Sequence, residues 1–319
     1  MRGNHVLIAV MSYNRGEFLE NLIQSIKALF HFNYELYLFD DSSDDPYTLK
    51  VLERFKEHVV SNVSHNHDHN HNHDHNHNHN IKHKGLYANM NRALEMSYKS
   101  DVDYLMIFQD DTQVIRKVNA SEIERYTSIF RKNNIAQLVC TFFKKNHQKP
   151  YFSLLSYEES TDAFYPLLTN RDYMLGIADM GIYDIKSLKK VNWFFENNEL
   201  ENQNKGKKLG LNRAVLRFPF LAYLPWPAVF RYKGSFMKRR FMRFSDWYFK
   251  AGFHPLQYLT DQETSKIMND RSPTILFEDD ILKTKYGITL SEPWNFYQAT
   301  FEWKRRVKSL LKLKQHNNQ

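Results

Sequence analysis

Apolar positions along the first half of the chain recur in two alternating modes. From His5 to Met11 the chain is continuously apolar after its first residue, which reads as a strand covered on both faces. Ser12-Tyr13-Asn14-Arg15-Gly16 breaks that run, and Phe18, Leu19, Leu22, Ile23, Ile26, Leu29 and Phe30 follow at helical spacing. Tyr34 to Phe39 reads as a second strand and runs into Asp40-Asp41-Ser42-Ser43-Asp44-Asp45. Pro46 can open a helix at its first turn, with Leu49, Leu52 and Phe55 along one side. A turn at Gly85 leads into a helix with Leu86, Met90, Ala93 and Leu94 inward. Tyr104 to Phe108 is again a short apolar run, and it leads straight into Gln109-Asp110-Asp111. A helix from Asn119 through Phe130 and strands over Ile135 to Phe143 and Tyr151 to Tyr157 continue the series. Alternation of this kind predicts an α/β fold with a mostly parallel sheet and crossover helices. Polar or acidic residues end each strand, so their tips meet along one sheet edge, where such folds bind ligands.

Beyond about residue 160 the pattern is less regular. Gly176 to Asp184 leads into a short helix, Ile185 to Val191, and Glu199 to Asn204 precedes a basic helix. Leu209 to Pro227 is strand-like and broken by proline. From Arg231 the chain turns basic and aromatic together, and the tail from Phe301 repeats that theme. Helices of this composition can lie on an anionic membrane surface, or dock on a domain with a solvated basic face. Glu278-Asp279-Asp280 reads as a helix start. We divide the chain into a domain over residues 1–235 and a basic, aromatic C-terminal helical extension over 236–319.

The acid pair Asp110-Asp111 carries the first chemical hint. Two adjacent carboxylates do not sit uncompensated in a core, so they are expected to emerge at the C-terminal end of the strand. Their mutual repulsion is relieved by a divalent cation. On its own the run also reads as a strand followed by an acidic turn.

Composition narrows the classes. The 319 residues are 42% hydrophobic and 15% aromatic with only 10 Gly and 9 Pro, enough to fold one large domain or two smaller ones. The formal net charge of +8 favours anionic partners. Cys140, the single cysteine, lies in an apolar run and reads as a buried thiol, which fits a reducing compartment. No signal-peptide pattern and no run of about 18 apolar residues is visible, so the expectation is a soluble or peripheral, cytoplasmic protein at the inner face of a membrane. Ser64 to Asn80 has no apolar residue and alternates His with Asn or Asp, from His65 to His79. We read it as a disordered surface loop with adventitious affinity for transition metals.

The order of these pieces resembles the GT-A glycosyltransferases of family two. Tyr13-Asn14-Arg15, Asp40-Asp41-Ser42-Ser43-Asp44-Asp45, Gly85 with Asn91 six residues on, and Gln109-Asp110-Asp111 stand in the family's order around apolar strands. The resemblance covers residues 5 to 115 well and continues weakly to about 235. It implies a Rossmann-like GT-A fold and an inverting transferase that takes a sugar from a nucleotide-sugar donor, of the UDP type. The acceptor it implies is a surface glycan or a lipid-linked glycan. It further implies a divalent metal, Mn or Mg, on Asp111 with Asp110 beside it, near the ribose or sugar. Asp41 is then the acid facing the nucleotide base, Tyr13 packs on that base, and Asn14, Arg15, Lys84 and Asn91 join the nucleotide-sugar site. Gln109 replaces the first acid of a strict DxD motif. The general base of such a transfer is a carboxylate; Glu201 is the positional match and Asp179 the second choice. Asn202 stands where the family usually has Asp, and an amide cannot act as base. The family's late His is replaced by Arg231-Tyr232-Lys233.

Two other classes are weighed. A nucleotidyltransferase needs a Gly-rich, cationic loop after the first strand, which Ser12 to Gly16 is not. A non-enzymatic metal-binding protein would rest on the His65 to His79 tract. No recognised nucleic-acid-binding module accompanies the basic charge.

Overall fold

The computed structural model describes residues 4–60, 85–132, 134–143, 153–167, 177, 179–224, 253–270, 274 and 276–287. In chain order the strands are β1 Val6–Ser12, β2 Phe30–His31, β3 Tyr34–Asp40, β4 Tyr104–Gln109, β5 Thr112–Val114, β6 Val118–Asn119, β7 Ile135–Val139, β8 Leu155–Glu158, β9 Ala163–Pro166, β10 Gly181–Asp184, β11 Asn212–Leu216 and β12 Leu221–Tyr223. The helices are α1 Gly16–Leu29, α2 Pro46–Arg54, α3 Gly85–Lys99, α4 Ala120–Phe130, α5 Ile185–Lys190, α6 Glu199–Lys208, α7 Asp261–Asn269 and α8 Glu278–Ile281. The His65 to His79 tract, Lys84 and the basic stretches from Arg231 and Phe301 lie outside the described residues.

Eight strands form one sheet in the order β3-β1-β4-β10-β7-β11-β9-β8. β1 runs parallel to β3 and β4, and β7 runs parallel to β11. β10 and β9 run against their neighbours. β1 and β4 are apolar throughout because helices cover both faces. Val6, Ile8 and Val10 of β1, with Met106 and Phe108 of β4, pack against α1 and α4. Leu7, Ala9 and Met11, with Leu105 and Ile107, pack against Met90, Ala93 and Leu94 of α3 and Leu188 of α5.

α1 begins at Gly16 because two helices meet there. A Cβ at Gly16 would lie 2.7 Å from the Thr48 main-chain nitrogen of α2. α2 starts as the sequence predicts, with Pro46 in its first turn and the Asp45 carboxylate accepting from the Thr48 N–H at 2.8 Å. The basic helix begins at Glu199 itself rather than after residue 204, because the Asn198 side chain accepts from the Glu201 N–H at 3.0 Å and caps it.

Described residues beyond position 235 pack against the N-terminal elements. Leu256 is fully buried with Phe18, Ile115 and Phe142. The buried Gln113 amide accepts from the Leu256 N–H and donates to its carbonyl, both at 2.9 Å, while receiving Asn21 at 2.9 Å. Residues 253–259 are therefore part of the same packed body as α1 and β5. Among the described residues no helix is long and apolar enough to cross a membrane.

Candidate active site

The end of β1 is the fixed point of the site. Its ladder extends past the strand on both sides: Asp41 N–H donates to the Ser12 carbonyl at 2.9 Å, and Asp110 N–H to the Met11 carbonyl at 3.0 Å. Asp41 and Asp110 are thereby pinned on either side of Tyr13. The Tyr13 N–H in turn donates to Asp110 Oδ2 at 3.0 Å. Three residues on the loops at this edge hold left-handed backbone, Asn14 (φ 52°), Ser42 (φ 60°) and Asp179 (φ 70°). Asn and Asp tolerate that region better than most residues, though it still carries strain.

A cleft of about 340 Å³ opens here, lined among others by Tyr13, Arg15, Asp41, Gln109, Asp110 and Glu199. The acidic run after β3 divides its labour. Asp40 ties its own turn through Ser43, Asp45 caps α2, and the Asn14 carboxamide accepts from the N–H groups of Asp44 and Asp45 at 2.8 and 2.9 Å. Asp41 is the member of the run that lines the cleft. It is half-buried and lies against the start of α3, where a Cβ on Gly85 would fall 1.9 Å from its Oδ1. Gly85 is required there for that close approach rather than for any unusual φ.

Asp110 and Asp111 follow directly on the C-terminal end of β4 and are 2% and 5% exposed. Arg15 supplies the compensation. Its Nη1 lies 2.7 Å from Asp110 Oδ1 and 2.9 Å from Asp111 Oδ2. Burial pushes the Asp110 carboxyl above the usual carboxylate range, against the pull of Arg15, and the neighbouring Asp111 charge adds to the rise. Burial alone would lower the Arg15 guanidinium, but the two acids raise it, so it stays charged. Asp111 Oδ1 is buried with no hydrogen-bond partner. The Asp111 carbonyl accepts from the Leu224 N–H at 2.8 Å, which anchors the pair to the end of β12.

Several expected site residues are not among those that line the cleft. Asn14 braces one loop against another and does not line the cleft. Asn91 is likewise outside the lining: its Nδ2 donates to the Phe195 carbonyl at 2.9 Å and its Oδ1 accepts from the Phe195 N–H at 2.7 Å. Glu201 is exposed on α6 and is not among the lining residues, while Glu199, one residue past the Asn198 cap, is. Glu199 enters the lining because α6 starts at that residue, earlier than the sequence pattern predicts. The Asn198 cap, followed by an acid in the first turn, was the signal.

Asp179 precedes β10. Because β10 runs antiparallel to β4, its leading residue lands at the edge where β4 ends. Gln109 Nε2 donates to Asp179 Oδ1 at 2.8 Å. Burial raises the Asp179 carboxyl to about 6, and the Glu199 charge adds to the rise. Burial also raises Tyr87, to about 12, with the charges of Asp179 and Glu199 adding to it. Tyr87 and Glu199 line the cleft, and Asp179 lies within electrostatic reach of both.

A family profile described as glycosyl transferase family 2 matches residues 7–189, more than half of the chain, and takes in β1, the acid run, the acid pair and Asp179. The chain belongs to glycosyl transferase family 2. No curated protein sequence matches it. Solved structures similar to this family 2 chain include TarS of S. aureus, at 15% identity and a TM-score of 0.43 over 68% of this chain and 36% of that one. TarS 1-349 of S. aureus in complex with UDP-GlcNAc gives 17% identity and 0.43 over 68% and 57%. The mannosyltransferase PcManGT from Pyrobaculum calidifontis, in complex with GDP-Man and Mn2+, gives 12% identity and 0.41 over 68% and 55%. The chain thus spans less than two-thirds of the length of each of these proteins.

Proposed function

We propose that this family 2 chain is an inverting glycosyltransferase that takes a sugar from a nucleoside-diphosphate donor, of the UDP type. The observation that carries the reading is the joint lining of one cleft by Tyr13, Arg15, Asp41, Asp110 and Glu199, drawn from three loops and the start of α6. Tyr13 offers a ring for the base to pack on. Asp41 offers an acceptor for a base N–H, which a uracil N3–H provides. Arg15 is a cation within reach of phosphate oxygens.

The residues present fit a divalent ion. Asp111 Oδ1 is a buried oxygen without a partner, and the donor set is oxygen only, as Mg and Mn prefer. Among the described residues no cluster of three or more His, Cys, Asp or Glu could hold a metal, so the remaining ligands would be donor phosphate oxygens and water. When bound, such an ion neutralises charge on the departing diphosphate.

Glu199 is assigned as the general base, in place of Glu201. An inverting transfer needs a carboxylate that removes the acceptor proton on the face opposite the leaving group. Glu199 lies on the cleft wall and is open to solvent, so an acceptor hydroxyl can reach it. Asp179, held by Gln109, flanks it and keeps this wall acidic. The acceptor is taken to be a surface or lipid-linked glycan, at an anionic membrane surface on the cytoplasmic side, on the strength of the basic and aromatic segments in the sequence.

A thermal-shift panel of UDP-, GDP- and CDP-sugars with Mn tests the donor, since ligands that bind the folded state stabilise it. A UDP-sugar is expected to give the largest shift; no shift from any of them in folded protein overturns the reading. Glu199→Gln is expected to keep the donor shift and to lose turnover by about 10²-fold or more. Unchanged turnover in Glu199→Gln removes Glu199 as the base.

A further inference from the structure

One guanidinium nitrogen of Arg15 holds both acids of the proposed metal pair. Nη1 contacts Asp110 Oδ1 and Asp111 Oδ2, and all three side chains are nearly buried, at 14%, 3% and 7% exposure. Asp110 uses its second oxygen on the Tyr13 N–H, whereas the second oxygen of Asp111 has no partner. Arg15 itself uses only Nη1; its other nitrogens make no hydrogen bond to the described residues, and the side chain lines the cleft. The guanidinium is thus tied to the acids at one corner, and its side chain lines the ligand space.

Resting on the donor reading above, we propose that Arg15 is an exchangeable counter-cation: it neutralises Asp110 and Asp111 until the divalent ion arrives, and it then passes to the donor diphosphate. The electrostatics require an exchange of this kind. A divalent ion on Asp111 and a guanidinium on the same carboxylate repel one another across a few ångströms of buried space. Metal alone must therefore displace Arg15 into a cleft with no anion to receive it. A diphosphate supplies that anion, and the planar fork suits phosphate oxygens. Metal and nucleotide should bind with positive coupling that runs through Arg15, in addition to their direct contact with each other.

Free Mn2+ measured by its aqueous EPR signal tests this on the full chain without nucleotide. Wild type is expected to bind Mn2+ weakly, and Arg15→Gln to bind it about tenfold or more tightly, while the gain in Mn2+ affinity on adding UDP shrinks in Arg15→Gln. Equal or weaker Mn2+ binding by folded Arg15→Gln overturns the proposal. Should that variant fail to fold, the wild-type protein answers through the Arg15 side-chain N–H resonances, assigned by their loss in Arg15→Lys. They are expected to stay in place with Mg2+ alone and to shift with Mg2+ and UDP together. Resonances that stay fixed while UDP binding is seen by thermal shift overturn the exchange and leave the donor reading standing. Absence of any UDP-induced thermal shift removes the donor reading, and the exchange falls with it.

Discussion

Asn202 grips the main chain of Glu196 from both sides: its Oδ1 accepts from the Glu196 N–H at 2.7 Å, and its Nδ2 donates to the Glu196 carbonyl at 3.1 Å. The same Nδ2 donates to the Asn198 carbonyl at 2.8 Å. Asn91 does the equivalent for Phe195. Two amides thus fix the segment that delivers Glu199 to the cleft wall. Asn202→Ala leaves buried polar groups unpaired and is expected to cost about 1–3 kcal/mol, read as a lowered melting point. Asn202→Asp can accept from the Glu196 N–H but cannot donate to either carbonyl, so it should be no more stable than Asn202→Ala. Wild-type stability in Asn202→Asp would show that the donated bonds contribute little.

Gly85 gives a way to disturb the cleft while leaving the core alone. The Cβ of Gly85→Ala would overlap the Asp41 carboxylate, the far end of a side chain that can swing aside. The melting point should change little. Affinity for the UDP-type donor should fall about tenfold or more, roughly 1.4 kcal/mol, when measured by calorimetry. Unchanged affinity would separate Asp41 from donor binding.

Asp162 offers a pH signature far from the cleft. Burial by itself raises its carboxyl, but hydrogen bonds from Arg217 and Tyr157 and the charges of Arg217 and Arg125 outweigh that and hold it below its ordinary value of 3.8. A depressed carboxylate contributes stability that is present above the unfolded value and is lost as pH falls through the folded one. Asp162→Asn should therefore melt below wild type by a constant margin from pH 5 to 8. The margin should narrow below about pH 4. A margin independent of pH down to pH 3 would rule out the charge as its source.

Asp179 has the opposite sign. Its folded value of about 6 exceeds the ordinary 3.8, so the folded state binds the proton more tightly and stability falls as pH rises between the two. Asp179→Asn removes that penalty. Its advantage over wild type in melting point should be largest above pH 7 and should fade below about pH 4, whatever the constant cost of disturbing the Gln109 hydrogen bond.

The core strands were legible in the sequence because β1 and β4 are buried on both faces and carry unbroken apolar runs. Local chemistry also marked the Asp45-Pro46 start of α2. Other features had no local signal. The direction of β10 is set by its pairing with β4 and β7, and four residues cannot announce it. The burial of Asp110 and Asp111 depends on Arg15, nearly a hundred positions away in the chain. The bonds of Asn14 and Asn91 go to segments that meet them only after folding. The choice between Glu199 and Glu201 turned on a single cap.

The antiparallel seam between β4 and β10 has a mechanical consequence. Gly181 faces Ile107 in that ladder, so the segment carrying Asp179 and the segment carrying Asp110 and Asp111 are stitched together by main-chain bonds. The Asp179 and Asp110 segments cannot spread apart without tearing the sheet. Adjustment to a bulky reactant must therefore come from elements outside this seam, such as the start of α6, while Asp179 and Asp110 keep their spacing.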